Sequence, residues 1–361
     1  MSQSENPLKI LVINPGSTST KVAYFEDEIR LWHEDIFYTQ EQLAKFDSYL
    51  DQADLRKKDI EDLVKNHNLE FAKLTAIAAR GGPFKPLASG TYAIDEELIS
   101  DIRNRKVRAD HISNVAALIA YELGKEHQLP AYFTDPVSVD EFDPVARISG
   151  FAGIERQSLL HALNIKAVAR IAAADLKQSL DDLNLIVCHL GGGISICAMK
   201  QGQMVDVNNA NEEGPFSPER AGTIPASSLA KYCFTQNKSY EEIKRMIVGK
   251  GGLAGLLGTS DLREVEAQIY AGDDRAEHVL RAMAYQIAKE IGAMSTVLLG
   301  KVDGIVMTGG VARCQLLIDW VEERTKFIAP ILHYPGEREM EALAAGVRRV
   351  LTGEEEAKKY V

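Results

Sequence analysis

One arrangement occurs twice in this chain, and it restricts the fold more than any other feature. Residues 9–13 form a short, mostly β-branched apolar run. The polar string Asn14, Pro15, Gly16, Ser17, Thr18, Ser19, Thr20 follows, and residues 21–25 read as a second strand. Halfway along, residues 185–188 lead into His189, Leu190, Gly191, Gly192 and Gly193, and residues 194–199 lead away. When the strands are aligned, Asn14 falls on His189 and Gly16 on Gly191, 175 positions later in a chain of 361. A second pair supports duplication: residues 76–82 and 304–310 each read as a buried strand ending in a polar residue and two glycines. Their offset is 228 positions, so the second half carries an insertion. Two matched pieces in the same order favour a duplicated α/β unit over chance repetition.

With 361 residues, 45% of them hydrophobic, the chain is too long for one core and comfortable for two domains. No apolar run reaches the ~20 residues of a membrane span, and residues 1–7 lack the pattern of a secretory signal. These features imply a soluble, cytoplasmic protein. A net charge of −11 argues against a broad nucleic-acid surface, so any phosphate site must be local. Cys188, Cys197, Cys233 and Cys314 are scattered, which fits reduced thiols rather than disulfides or zinc. Helices are expected between the strands. Val279, Met283, Ile287, Ile291, Met294 and Leu298 recur at helical steps after Asp273 and Asp274, with Gly300 closing the helix. Residues 115–123 predict a helix ending at Gly124, residues 41–68 a charged surface pair, residues 238–248 a further helix, and residues 354–359 a frayed tail.

The glycine-rich turns differ from a P-loop, which requires G-x-x-x-x-G-K-[ST] between strand and helix; that string is absent. Ordinary hairpin turns are one reading. Phosphate cradles are the other, and three consecutive glycines beside His189 exceed what a turn needs, because ordering them costs entropy. Glycine at Gly16 permits positive φ and a close backbone approach to an anion.

The string from Ile10 through Asn14, Pro15, Gly16 and Ser17 to Lys21 resembles the first phosphate hairpin of the acetate/butyrate kinase family, within the acetate and sugar kinase, heat-shock ATPase and actin superfamily. His189 to Gly193 resembles that family's second phosphate loop, and residues 217–225 its arginine segment. Residues 258–263 are similar to its adenosine segment and residues 307–311 to its last nucleotide loop. Residues 80–86, 135–141 and 161–167 look like the butyrate rather than the acetate branch. So do the Asn-Pro-Gly of the first loop and a last loop lacking the acetate branch's Glu.

This resemblance implies an α/β fold of two ribonuclease H-like domains with nucleotide in the cleft between them. The domains would span residues 1–145 plus 341–361, and residues 146–340, with hinges at 140–149 and near Glu339. It implies transfer of the ATP γ-phosphate to the carboxylate of a short fatty acid, reversibly with ADP, in a homodimer or larger homo-oligomer. Arg220 would stabilise the transferring phosphoryl group, Arg80 would grip the substrate carboxylate, and Asp135 would order Mg²⁺-bound water. His189 would bond a phosphate oxygen. Asn14, Ser17, Ser19 and Lys21 would face the phosphates, and Gly191, Gly192 and Gly193 would cradle a second phosphate. Asp261, Leu262 and Arg263 would wall the adenosine, with Gly309, Gly310, Val311 and Arg313 beside the nucleotide. Glu339, with Asn14, would associate with Mg²⁺; Glu337 and Glu341 compete for that role. Blander roles stay open: a surface ion pair for Arg220, a turn residue for Asp135, a packed strand-end histidine for His189, a solvated residue for Lys21, a helix cap for Asp261. His161 reads as a packing or capping residue, and Phe84 is a candidate for lining the acyl pocket.

The chemistry joins two anions. Unit charges 4 Å apart at an effective dielectric of ~20 repel by roughly 4 kcal/mol, so cations and N–H donors must come first. A carboxylate nucleophile is already ionised at pH 7 and needs no base. A sugar kinase of the same superfamily would need one, which keeps Asp135 relevant to that alternative. A nucleotide-gated regulator would have no acyl acceptor. Butyrate, isobutyrate, isovalerate, propionate and acetate differ by single methyl or methylene groups, and no motif separates them.

Overall fold

A computed structural model describes residues 6–361; the reading of the opening residues falls largely on positions 1–5, outside those described. The chain divides into two compact units. One comprises residues up to Val139 together with Arg338–Val361, and the other comprises Asp140–Glu337.

In the first unit, β1 (Lys9–Pro15), β2 (Ser19–Glu26) and β3 (Ile29–Phe37) form an antiparallel meander. Strands β4 (Ala76–Arg80), β5 (Thr91–Ala93) and β6 (Ala131–Thr134) complete a sheet of order β3-β2-β1-β4-β6-β5, with β1, β4 and β6 parallel. Ile10, Leu11, Val12 and Ile13 are all buried because β1 is covered on both faces. Helix Asn114–His127 packs on it, and so does the late helix Glu339–Thr352. The late helix approaches closely because Gly346 has no side chain: a Cβ there would lie 2.2 Å from Thr134 Oγ1.

The second unit repeats the plan. Strands β7 (Asn184–Leu190), β8 (Ile194–Lys200) and β9 (Gln203–Val207) form the meander, and β10 (Gly304–Gly309) and β11 (Ile331–Pro335) add in parallel, in order β11-β10-β7-β8-β9. The correspondence holds residue by residue. Asn14 pairs with Lys21 two positions before its turn, and His189 pairs with Ser195 two positions before its own. The extra length of the second half is the helical segment Ala226–Thr235, Tyr240–Ile247, Gly252–Leu257 and Leu262–Tyr270. Helix Asp274–Val297 follows, capped by Asp273 through the N–H groups of Arg275 and Ala276. Its buried Met283, Ile287, Ile291 and Met294 pack with Ile186, Ile196 and Ile305 in that unit's core. At about 1.5–3 kcal/mol per fully buried large aliphatic side chain, these stripes are what hold helix to sheet.

Several expectations need correction. The chain passes to the second unit at 139/140 rather than 145/146, because Asp140 pairs with Arg147 and Glu141 with Lys166, both inside that unit. It returns at 337/338, three residues earlier than expected. Residues 354–359 are not frayed: Lys358 N–H donates to Thr91 O, Ala93 N–H to Lys358 O, and Tyr360 is buried with its hydroxyl on Asp101. Gly124 does not end its helix, which runs on to His127 with Gln128 left-handed at φ 56°; the glycine instead lets Leu129 O pass, 2.7 Å from where a Cβ would stand. Residues 41–68 hold only a four-residue turn of helix and then Ala53–Asn66, whose Arg56, Ile60 and Val64 are buried. Phe84, the candidate for the acyl pocket, lies in the core with no solvent exposure, edge-on to Phe133 and Tyr360. Among the described residues no helix is long and apolar enough to cross a membrane.

Candidate functional site

In the first unit the candidate residues collect at the carboxyl ends of β1, β4 and β6, where parallel strands commonly present ligand-binding loops. The β1–β2 turn closes with Gly16 N–H on Ser19 O at 2.7 Å. Gly16 does not use the positive φ that glycine permits. A Cβ there would meet only Ser19, at 3.6 Å, so nothing among the described residues demands glycine. Ser17 and Thr18 are exposed at the tip. Lys21 stands opposite Asn14, and its ammonium forms no hydrogen bond or ion pair among the described residues.

Arg80 at the end of β4 pairs with Glu339 at 2.5 Å, and Asn14 Nδ2 donates to the other Glu339 oxygen at 3.0 Å. Residues from three distant parts of the sequence therefore converge. The other acidic candidates go elsewhere: Glu341 pairs with Arg30 at the surface, and Glu337 lines a cavity of the second unit. One carboxylate beside an amide oxygen suits Mg²⁺, which keeps most of its waters and shares phosphate oxygens. No group of three or more His, Cys, Asp or Glu able to hold a metal by itself occurs among the described residues.

Asp135, just after β6, is buried at φ 40°, a conformation rare outside glycine. Its Oδ1 accepts from Ser89 Oγ at 2.6 Å and from Gly90 N–H at 2.8 Å, so it ties down that turn. The sequence reading missed His111. Its Nδ1 lies 2.8 Å from Ser113 Oγ and accepts the Ser113 N–H at 3.2 Å. Partial burial of the ring, and then the positive charge of Arg80, hold its pKa below the ordinary imidazole value against the pull of Asp110. An isolated histidine in a polar loop gives no sequence signal of that proximity.

In the second unit a cavity of about 650 Å³ is lined by Gly191, Gly192, Asp261, Leu262, Arg263, Gly310, Val311 and Arg313, with Glu219, Glu266 and Glu337 also on its wall. That volume suits a nucleotide. Asp261 caps helix Leu262–Tyr270 by accepting the Arg263 N–H at 2.9 Å. The same carboxylate pairs with the Arg263 guanidinium, and these bonds hold its pKa down to about 2. The pocket wall and the helix cap are thus one feature. Gly193 and Gly309 stand behind the lining. Gly309, at φ 90°, lets the backbone pass Leu190, whose carbonyl oxygen lies 2.2 Å from the position of a Cβ.

The reason for three glycines is steric. None of Gly191, Gly192 and Gly193 is at positive φ. A Cβ on Gly193 would lie 1.9 Å from Arg220 Nη1 and 2.4 Å from its Cζ; one on Gly192 would lie 3.3 Å from Glu219 Oε2, and one on Gly191 3.2 Å from His189 Nε2. The loop is stripped so that the Arg220 guanidinium can lie against it. Arg220 also donates to Ala210 O at 3.1 Å, and its burial lowers its pKa, with Glu219 opposing. His189 is buried, with Asn164 Nδ2 2.9 Å from its Nδ1. Accepting there places the ring proton on Nε2, beside the glycine loop. His161, read from the sequence as a packing or capping residue, is the N-cap of helix Ala162–Leu176 and stacks on His189 with centroids 3.9 Å apart and its Nδ1 3.1 Å from Ser195 Oγ.

Two sheets built on one strand plan, to which the first adds β5, each with a polar or glycine-rich hairpin turn on an inner strand, define the duplicated ribonuclease H-like fold of the acetate and sugar kinases. The acetate kinase of Porphyromonas gingivalis superposes with a TM-score of 0.80 at 20% identity, covering 95% of this chain and 100% of that one. A propionate kinase from Francisella tularensis gives 0.70 at 19%, covering 94% and 98%, and the acetate kinase of Entamoeba histolytica 0.73 at 17%, also covering 94% and 98%. Residues 152–321 match the model of the acetokinase family.

Proposed function

We propose that this protein is an ATP-dependent carboxylate kinase that moves the γ-phosphate of ATP in line onto the carboxylate of a short-chain fatty acid, reversibly. The observation that carries this reading is the Arg220 guanidinium lying on Gly193, in the loop whose other two glycines line the nucleotide-sized cavity. The match of residues 152–321 to the acetokinase family model supports it.

In this reading the second unit holds adenosine between the Asp261–Arg263 wall and the loop of Gly310, Val311 and Arg313. His189 Nε2–H and the glycine loop take phosphate oxygens, and Arg220 neutralises charge on the transferring phosphoryl group. In the first unit Arg80, oriented through Glu339, would take a carboxylate, and the Ser17 and Ser19 turn and Lys21 would take phosphate oxygens. Glu339 and Asn14 would hold Mg²⁺, which when bound neutralises phosphate charge. Positioning and charge neutralisation suffice for such a transfer. Asp135, held through Oδ1 by Ser89 and Gly90, would order Mg²⁺-bound water beside the acceptor.

Butyrate is the acid we assign first, on the local resemblances at 80–86, 135–141 and 161–167; propionate, acetate, isobutyrate and isovalerate are the competitors. A cytoplasmic homodimer or larger assembly belongs to the same reading. Hydroxylamine trapping with ATP, Mg²⁺ and C2 to C5 acids tests it. A hydroxamate that forms only with a carboxylic acid present is the expected result, with kcat/KM highest for butyrate. No hydroxamate from any acid, or transfer to a sugar hydroxyl instead, contradicts it.

A further inference from the structure

Helix Ala53–Asn66 places Arg56, with no solvent exposure, directly behind the β1–β2 turn. Its Nη1 donates to Ser19 O at 2.9 Å and to Thr20 Oγ1 at 2.8 Å. Nη2 reaches Ser17 O at 3.3 Å and Gln52 Oε1 at 2.9 Å, and Nε reaches the same Gln52 oxygen at 3.1 Å. The Tyr38 ring centroid is 4.4 Å from Cζ. Every hydrogen-bond acceptor is neutral; Asp59 acts on the guanidinium through space alone.

The surroundings complete a pattern. Tyr38 N–H donates to Thr18 O at 2.9 Å and Gly16 N–H to Ser19 O. The carbonyls of Ser17, Thr18 and Ser19 are therefore all engaged by donors of this unit. The N–H groups of Ser17 and Thr18, at the exposed tip, have no acceptor among the described residues. Carbonyls held and amides open is the arrangement in which backbone receives an anion. A guanidinium buried on neutral acceptors is costly to keep, and an anion seated on the far side of the turn offsets part of that cost.

We propose that Arg56 is a positioning residue for the phosphoryl-binding turn: it ties the turn's carbonyls away from the anion and sets a buried positive charge behind it. This rests on the reading of the turn as a phosphate cradle and adds the element that shapes it. Neutral hydrogen bonding alone would not call for a cation, and lysine cannot span Gln52, Ser17, Ser19 and Thr20 at once.

The test uses the full chain as wild type, Arg56→Lys, Arg56→Met and the milder Thr20→Val. Inorganic phosphate affinity is measured in the Arg220→Ala background, so that phosphate on the second unit's loop does not mask the result. ADP affinity and hydroxamate kcat are measured with Arg220 intact. Phosphate affinity is expected to fall about ten-fold or more in Arg56→Met, less in Arg56→Lys and a few-fold in Thr20→Val. The kcat should fall about 100-fold in Arg56→Met, the scale of a misplaced reacting group, with ADP affinity unchanged. A folded Arg56→Met or Arg56→Lys chain with wild-type phosphate affinity and kcat overturns the proposal, even if its melting temperature drops, because that is the behaviour of a purely structural residue. Should Arg56→Met fail to fold, Thr20→Val and Arg56→Lys decide by the same criterion. If the wild type makes no hydroxamate and phosphate affinity still falls in the variants, the carboxylate-kinase reading fails and the role of Arg56 stands.

Discussion

The methyl group added by Gly193→Ala isolates the contact on which the proposed chemistry turns. The Gly193 backbone is not at positive φ, so alanine adds no backbone strain. Its Cβ would fall 1.9 Å from Arg220 Nη1. Ordinary contact needs roughly 3.5 Å, so the guanidinium must shift by about 1.5 Å. It is the end of a flexible side chain and can move, which predicts little change in melting temperature. The shift breaks its bond to Ala210 O and removes the charge from its place beside the loop. Misplacement of this size costs about 100-fold in rate, or about 2.7 kcal/mol of transition-state stabilisation. Gly193 is not part of the cavity lining, so ADP affinity should hold. Hydroxamate kinetics with ADP titration and a thermal melt test all three parts. A stable Gly193→Ala chain with wild-type kcat refutes the argument that the glycine makes room for a working Arg220.

Gly310 offers the converse case: a Cβ there meets nothing within 4 Å, yet the residue lines the cavity, so Gly310→Ala should raise KM for ATP several-fold at unchanged melting temperature. Gly346→Ala should destabilise by about 1–3 kcal/mol through its clash with Thr134, read in urea denaturation. Glu339→Gln removes the partner that orients Arg80 and should lower kcat by about 100-fold while raising the Mg²⁺ requirement, measured by Mg²⁺ titration of the hydroxamate assay. The folded pKa of His111 is lowered, so its contribution to stability is complete above the ordinary imidazole value and is lost as pH falls through the depressed one. Melts between pH 7 and 5 should show that loss in the wild type and a flatter limb in His111→Gln.

The duplicated framework was legible in the sequence because it rests on local signals: apolar runs of strand length, each ending in a polar or glycine-rich turn. The pairing of Asn14 with His189 by alignment alone matches the register of the two hairpins. The helix from Asp273 was legible too, because its cap and its three- and four-residue steps lie in one stretch. What escaped depends on contacts made after folding. Arg56 looks like one more charge on a polar helix, and only the turn folded over it shows that its guanidinium is buried. The packing or capping role of His161 was legible, but its partner His189 needed β7 beside the helix start, and the tail from 354 needed the open edge of β5. The glycines at 191–193 were noticed as a phosphate cradle; the close approach of Arg220 to Gly193, from 27 residues further on, was not legible.

Replacing Arg220 with alanine tests the account most directly, with turnover followed by hydroxamate formation and ADP binding by calorimetry on the same folded sample. The account predicts that turnover falls by a hundred-fold or more while ADP binds as before. An Arg220→Ala chain that forms acyl phosphate at the wild-type rate would contradict it.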